Sequence, residues 1–203
     1  MKNIFLALVI LGVISFSNFV FAKTEILVEK NGRYTNYYAK DDPVRYAKSV
    51  TNLPDAKKAE LFEYAKTYPD KVKPVVFMAL ADYIFKTDKN EALFWYFAGR
   101  IRATSDIAMC DDTSSRQQLA YYPEMATNTM NYGSQNPKQV KNAIKKALKW
   151  DETNKNRMHP QWACYHGSMV FLLNGEVTTK DMAEYEKIQK ETRDYIYKGL
   201  KKL

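Results

Sequence analysis

The chain has two cysteines, Cys110 and Cys164, and whether they are free thiols or one bridge constrains the fold more than any other pair of residues. The compartment decides the answer, and the first residues, MKNIFLALVILGVISFSNFVFA, bear on it. Lys2 gives a positive start, Ile4 to Ile14 an apolar stretch, and Val20-Phe21-Ala22 a site suited to an exporting peptidase. Residues 1–22 therefore read as a signal peptide, cleaved to leave Lys23 first, and the protein as periplasmic or secreted. The alternative is a retained membrane anchor, because Ile4 to Ala22 approaches the length a bilayer needs; Ser15, Ser17 and Asn18 weaken its second half. No cysteine lies near the junction for lipid attachment, and no later stretch reaches the roughly 18 apolar residues of a spanning helix. In an exported chain one even pair of cysteines forms one disulfide. Loop-closure entropy makes such a staple worth about 4 kcal/mol.

Without the leader about 180 of the 203 residues remain, a length that suits a single compact domain with its own core. Residues 23–41 read as an N-terminal arm, with TEILVEK a short strand and NGRYTNYYAK a loop. Over 42–203 the periodicity is helical and prolines mark the joints. Asp42-Pro43 is an N-cap and first-turn pair that opens a helix to Val50. Pro54 opens DAKKAELFEYAK, and Pro69 begins a segment in which VVFMALADYIF is apolar almost all round and hence buried. Asp88-Lys89-Asn90-Glu91 forms a capping box for EALFWYFAGRIRATSDIAMC. Asp112 or Thr113 caps a short helix that Pro123 interrupts, and the polar residues after it become a loop at Gly133. Asn136-Pro137 opens KQVKNAIKKALKW, with Val140, Ile144, Ala147 and Leu148 inward and Lys138, Lys141, Lys145 and Lys149 outward. His159-Pro160 opens QWACYHGSMVFLLN, closed by Gly175 as a C-cap. Thr178 to Asp181 opens a last helix with Met182, Tyr185, Ile188, Thr192, Tyr195 and Ile196 inward. The expected fold is all-α, seven or eight helices held by one disulfide.

Motifs that carry chemistry are few. A Cys–His nucleophile would need one of only two histidines and a cysteine left out of the bridge. A metal could draw on Asp106, Asp111, Asp112, His159 and His166. The two histidines, however, lie two helical turns apart, and His159 is explained as the residue before Pro160. There is no G-x-S-x-G, no H-E-x-x-H and no Gly-rich phosphate loop. No catalytic residue, metal or cofactor is assigned.

The candidate binding residues are Trp95, Tyr96, Arg100, Arg102 and Asp106, because FWYFAGRIRATSDIAMCDD combines aromatic and arginine side chains. Two readings compete. In one, Gly99 and Ala103 admit a close helix neighbour, and Arg102 pairs with Asp106 four residues on as part of the framework. In the other, Arg100 or Arg102, with Trp95 and Tyr96, lines a groove for a carboxylate or phosphate.

Ala92-Leu93-Phe94-Trp95-Tyr96 resembles the first helix of Sel1-like repeats, relatives of the tetratricopeptide arrays, over that one helix. The resemblance implies a helical-pair scaffold with a concave binding face. The layout of export leader, small helical domain, single disulfide and no catalytic constellation resembles exported bacterial immunity-type proteins that neutralise antibacterial effectors. That likeness implies a non-enzymatic binding protein of the cell envelope, an immunity protein or an adaptor, whose partner is another protein. Without Lys2, 30 Lys and Arg face 23 Asp and Glu, and this net charge of +7 favours an acidic partner, or an anionic lipid or glycan. Export argues against nucleic acid, and the lysine side of KQVKNAIKKALKW, lacking interleaved aromatics, reads as a solvated helix face. The competing class is an envelope enzyme, or a lipid or glycan binder, with a cleft around Trp95, Asp106 and Asp111.

Overall fold

A computed structural model of the protein describes residues 22–31 and 34–201; the leader read at 1–22 lies outside them apart from Ala22. The described chain is mainly helical, and a buried disulfide joins Cys110 to Cys164 with their Cα atoms 5.4 Å apart.

The described N-terminal stretch is strand over 26–31 and 34–39, where the sequence reads as strand followed by loop. After β1 (Ala22–Lys23), β2 (Ile26–Asn31) and β3 (Tyr34–Ala39) form an antiparallel hairpin with Ile26 opposite Ala39. Polar residues mask the strand preference of the tyrosines and threonine in YTNYYA. Strand β1 pairs with β4 (Glu176–Val177), and the buried Thr24 ties the arm down further. Its amide donates to Gly175 O at 2.8 Å and its hydroxyl to Asp41 at 2.9 Å. Gly175 holds the left-handed conformation, φ 90°, and a Cβ there would meet Thr24 O at 1.9 Å.

Helix α1 (Pro43–Thr51) begins where Asp42 Oδ1 accepts from the amides of Val44 and Arg45, both at 2.9 Å. Pro54 precedes α2 (Asp55–Thr67). The apolar run divides at Leu80 into α3 (Val75–Ala79), wholly buried, and α4 (Ala81–Phe85). Helix α5 (Lys89–Ala108) is the axis on which α3 and α4 pack. Trp95 on α5 stacks on Phe77 of α3 with ring centroids 4.8 Å apart. At Gly99, a Cβ would come within 2.6 Å of Pro74 O, so glycine is what lets the start of α3 lie against α5. Asp88 Oδ1 caps α5 through the amides of Asn90 and Glu91. Glu91 does not reach back to complete the box; its carboxylate accepts the Trp95 indole N–H at 3.2 Å.

Next come α6 (Gln118–Tyr121), between two 3-10 turns, and α7 (Thr127–Gln135). The sequence makes the latter a loop at Gly133, yet Gly133 is buried inside the helix. The cap comes from another helix: Asp82 of α4 accepts the amides of Asn128 and Thr129 at 3.0 and 2.9 Å. Helix α8 (Pro137–Thr153) lies along α5 with Ile144, Ala147 and Leu148 inward, as its periodicity requires.

The helix read from His159 is broken. A 3-10 turn (Pro160–His166) ends at Gly167, and α9 (Met169–Leu172) is separate. The Asp112 carboxylate fills the space a Cβ of residue 167 would need. Helix α10 (Tyr185–Leu200) closes the fold against α5 and α8. Its inner face runs Tyr185, Ile188, Thr192, Ile196, Leu200. Tyr195 is therefore a helical step off the stripe and 78% exposed, and Met182 lies in the 3-10 turn before the helix. The described residues thus hold ten α-helices, more than the seven or eight of the sequence, with two small sheets added.

Asp82→Ala should lower stability by about 1–2 kcal/mol in urea unfolding, the usual cost of a lost helix cap. Cys110→Ser with Cys164→Ser should cost about 4 kcal/mol, and reductant should then no longer shift the unfolding midpoint.

Candidate functional site

The candidates on α5 face the interior. Trp95, Tyr96, Arg102 and Asp106 are buried, and Arg100, half-buried, donates to Leu119 O at 3.1 Å. No cleft joins Trp95, Asp106 and Asp111 among the described residues, because only Asp111 of the three is exposed. The expected Arg102–Asp106 pair does not form. Arg102 Nε donates instead to Asp151 Oδ1 of α8 at 3.3 Å. Its two other nitrogens donate to the carbonyls of Pro69 (3.0 Å) and Asn154 (2.6 Å), and the guanidinium lies 4.1 Å from the Trp150 ring centroid. Asp106 turns the other way, accepting from Trp162 Nε1 at 2.9 Å and from the Tyr185 hydroxyl, with Arg157 at 3.8 Å.

Asp151, with a side chain wholly shielded from solvent, binds these parts into one network. It receives Arg102 from α5, Arg157 from the loop after α8, and Arg193 of α10, the last at 3.0 Å. Arg157 also donates to Ser105 at 2.8 Å. Three guanidiniums thus share two carboxylates, Asp106 and Asp151. Burial, helped by the nearby Arg157, lowers Arg102 to about 10. Burial also lifts Asp106 to about 6, against the pull of Arg157, Tyr185, Trp162 and Arg102.

The network reaches the surface at Arg193, whose side chain is 18% exposed, and a groove opens there between α8 and α10. It encloses about 520 Å³ and is lined by Leu148, Tyr197, five cations (Lys145, Lys149, Lys155, Lys190 and Arg193) and two carboxylates, Glu152 and Asp194. Lys190 pairs with Asp194 at 2.7 Å and Lys155 with Glu186 at 3.3 Å. Lys145 and Lys149 make no ion pair among the described residues. Two lysines read from the sequence as a solvated face therefore form the wall of a groove, and Tyr197 of α10 supplies the aromatic side chain that the lysine side of α8 lacks.

The remaining candidates sit apart. His166 Nδ1 lies 2.7 Å from Asp42 Oδ2, and His159 Nδ1 accepts the Gln161 amide at 3.4 Å within its own turn. Among the described residues no group of three or more His, Cys, Asp or Glu is arranged to hold a metal ion. Sequence reasoning passed over Asp151, Arg157 and Arg193. One of them had a signal: Asp151 continues the inward stripe Ile144, Ala147, Leu148, and a carboxylate on a buried stripe requires a cation. Compared with known proteins, the chain matches no family model, no curated protein and no solved structure.

The raised Asp106 gives the fold a pH signature. The folded state binds that proton more tightly than the unfolded chain, so this group's contribution to stability grows as pH falls from about 6 towards 4 and is flat above. The melting temperature of wild type relative to Asp106→Asn should therefore rise between pH 7 and pH 5.

Proposed function

We propose that the protein is a non-enzymatic binding protein of the cell envelope that engages an acidic surface of a partner protein through the groove between α8 and α10. The observation that carries this reading is the groove's lining of five cations against two carboxylates, with Arg193 fixed from behind by Asp151. A guanidinium already held in place loses little freedom when it binds, and Arg and Tyr are the side chains from which interfaces gain most. Lys145 and Lys149, free at the rim, add long-range attraction for an acidic partner. Leu148 offers an apolar floor. An immunity protein that neutralises an antibacterial effector, or an envelope adaptor, is the form of this function that matches the layout of the chain. The signal-like residues 1–22 and the disulfide support an exported location, since such bridges persist in oxidising compartments.

The test is affinity capture from the envelope fraction of the source cells, comparing wild type with Lys145→Glu/Lys149→Glu. Wild type should retain an acidic protein, released by salt, and the variant should retain about tenfold less or none. Recovery of only a lipid or a glycan, or of the same protein by both baits, would reject the reading.

A further inference from the structure

Among the described residues, the densest apolar exposure is at α9, beside the disulfide. Met169, Phe171, Leu172 and Leu173 are all exposed, Leu172 by 75%, while Val170 between them is buried. Clusters of this kind on a soluble surface mark places where something binds. Met169 and Leu173 form the lip of a cavity of about 160 Å³ whose wall includes Cys164, Val170 and Val177. A dry cavity of roughly 150 Å³ accepts benzene, so this one has room for one large aliphatic or aromatic side chain.

The charge around the cavity is opposite in sign to that of the chain. Its ionisable groups are Asp111, Asp112 and Glu176, in a protein of net charge +8. Asp112 is engaged internally, its Oδ1 accepting the Ser114 amide at 2.9 Å and its Oδ2 the Met169 amide at 2.8 Å. Partial burial works to raise it, but the amides of Met169 and Ser114 overcome that and hold it below the usual carboxylate range. Asp111 and Glu176 have no ion-pair partner among the described residues. Lys23, opposite Glu176 across the β1–β4 ladder, is exposed and pairs with neither.

We infer that this acid-rimmed apolar cavity is a second docking site, which takes a segment of a partner protein carrying a large apolar side chain next to a lysine or arginine. The apolar side chain fills the cavity and Asp111 with Glu176 receives the cation. A bilayer fits less well, because rim carboxylates repel anionic headgroups. A symmetric second copy would set one acidic rim against another. The site shares no lining residue with the α8–α10 groove and stands or falls without it.

The experiment is selection of a random linear peptide library on the oxidised protein recovered from the periplasm of an expression host, followed by affinity measurement on the enriched peptides. Enriched sequences should place Phe, Leu, Met or Trp beside Lys or Arg. Their affinity should fall roughly fivefold in Asp111→Asn/Glu176→Gln, as expected for two exposed charge pairs. In Leu173→Asp, which puts a charge on the lip of the cavity, it should fall by more than about tenfold, as for a lost apolar contact. Asp111 and Leu173 are exposed, and Glu176→Gln preserves side-chain shape, so these variants keep the core intact. Enriched peptides without that pairing, or affinities unchanged in both variants, would overturn the inference. So would Leu173-dependent flotation with phosphatidylcholine vesicles, or a dimer that Leu173→Asp dissolves.

Discussion

The structure depends on one buried carboxylate. Asp151 lies on the inner face of α8, where an isolated charge could not survive the loss of its hydration, and three guanidiniums converge on it from separate parts of the chain. Arg102 brings α5, Arg157 brings the segment that leads to the disulfide, and Arg193 brings α10. A hydrophobic contact could have joined the same helices, but apolar surfaces tolerate sliding and rotation that a multiply hydrogen-bonded ion does not. The network therefore sets the register of α10 against α5 and α8, and with it the position of every side chain α10 contributes to the groove. Since three cations share two carboxylates, the cluster keeps one surplus positive charge. Its outermost member, Arg193, presents part of that surplus to the groove.

Local rules made the helical skeleton legible. Asp42-Pro43, Asp88 and Pro137 mark helix starts because a cap satisfies amides within three residues of itself, a distance over which sequence is sufficient. The stripe of α8 was readable for the same reason. What escaped was decided between distant residues. Helix α7 looks like a loop because its capping carboxylate, Asp82, is on another helix. The break at Gly167 follows from Asp112 arriving from elsewhere, and the hairpin at 26–39 draws on strand preferences diluted by polar neighbours. Asp106 and Arg102 sit at helical spacing and carry opposite charges, yet each found a better-placed partner.

The burial of α5 places any binding surface elsewhere on the fold. Aromatic and arginine side chains on α5 are the residue types of an interface, but they are also those of a polar core built around a long central helix. Sequence composition does not separate the two uses. Burial does, and it transfers the candidate role from Arg102 to Arg193, the only guanidinium of the network with appreciable exposure. The lysines of α8 moved in the opposite direction, from an ordinary wet face to a groove wall, because their significance depends on what α10 places across from them.

The two proposed surfaces differ in the physics that would hold a partner. In the α8–α10 groove the main force is Coulombic, so attraction begins before contact, association is fast, and salt weakens it. At the α9 cavity, removal of apolar surface from water dominates, which acts only at contact and is nearly insensitive to salt; the rim carboxylates select among apolar segments by their neighbouring charge. A protein with both can capture an acidic surface by one face and hold an apolar, basic segment by the other. An adaptor between two partners, or a clamp on one partner with both features, needs that combination. The disulfide sits where the second surface is made: Cys164 forms part of the cavity wall, and the bridge ties that wall to the end of α5. Reduction would remove the covalent tie and leave the wall held to that helix by the Trp162–Asp106 hydrogen bond, so the staple that steadies the fold also stiffens the cavity.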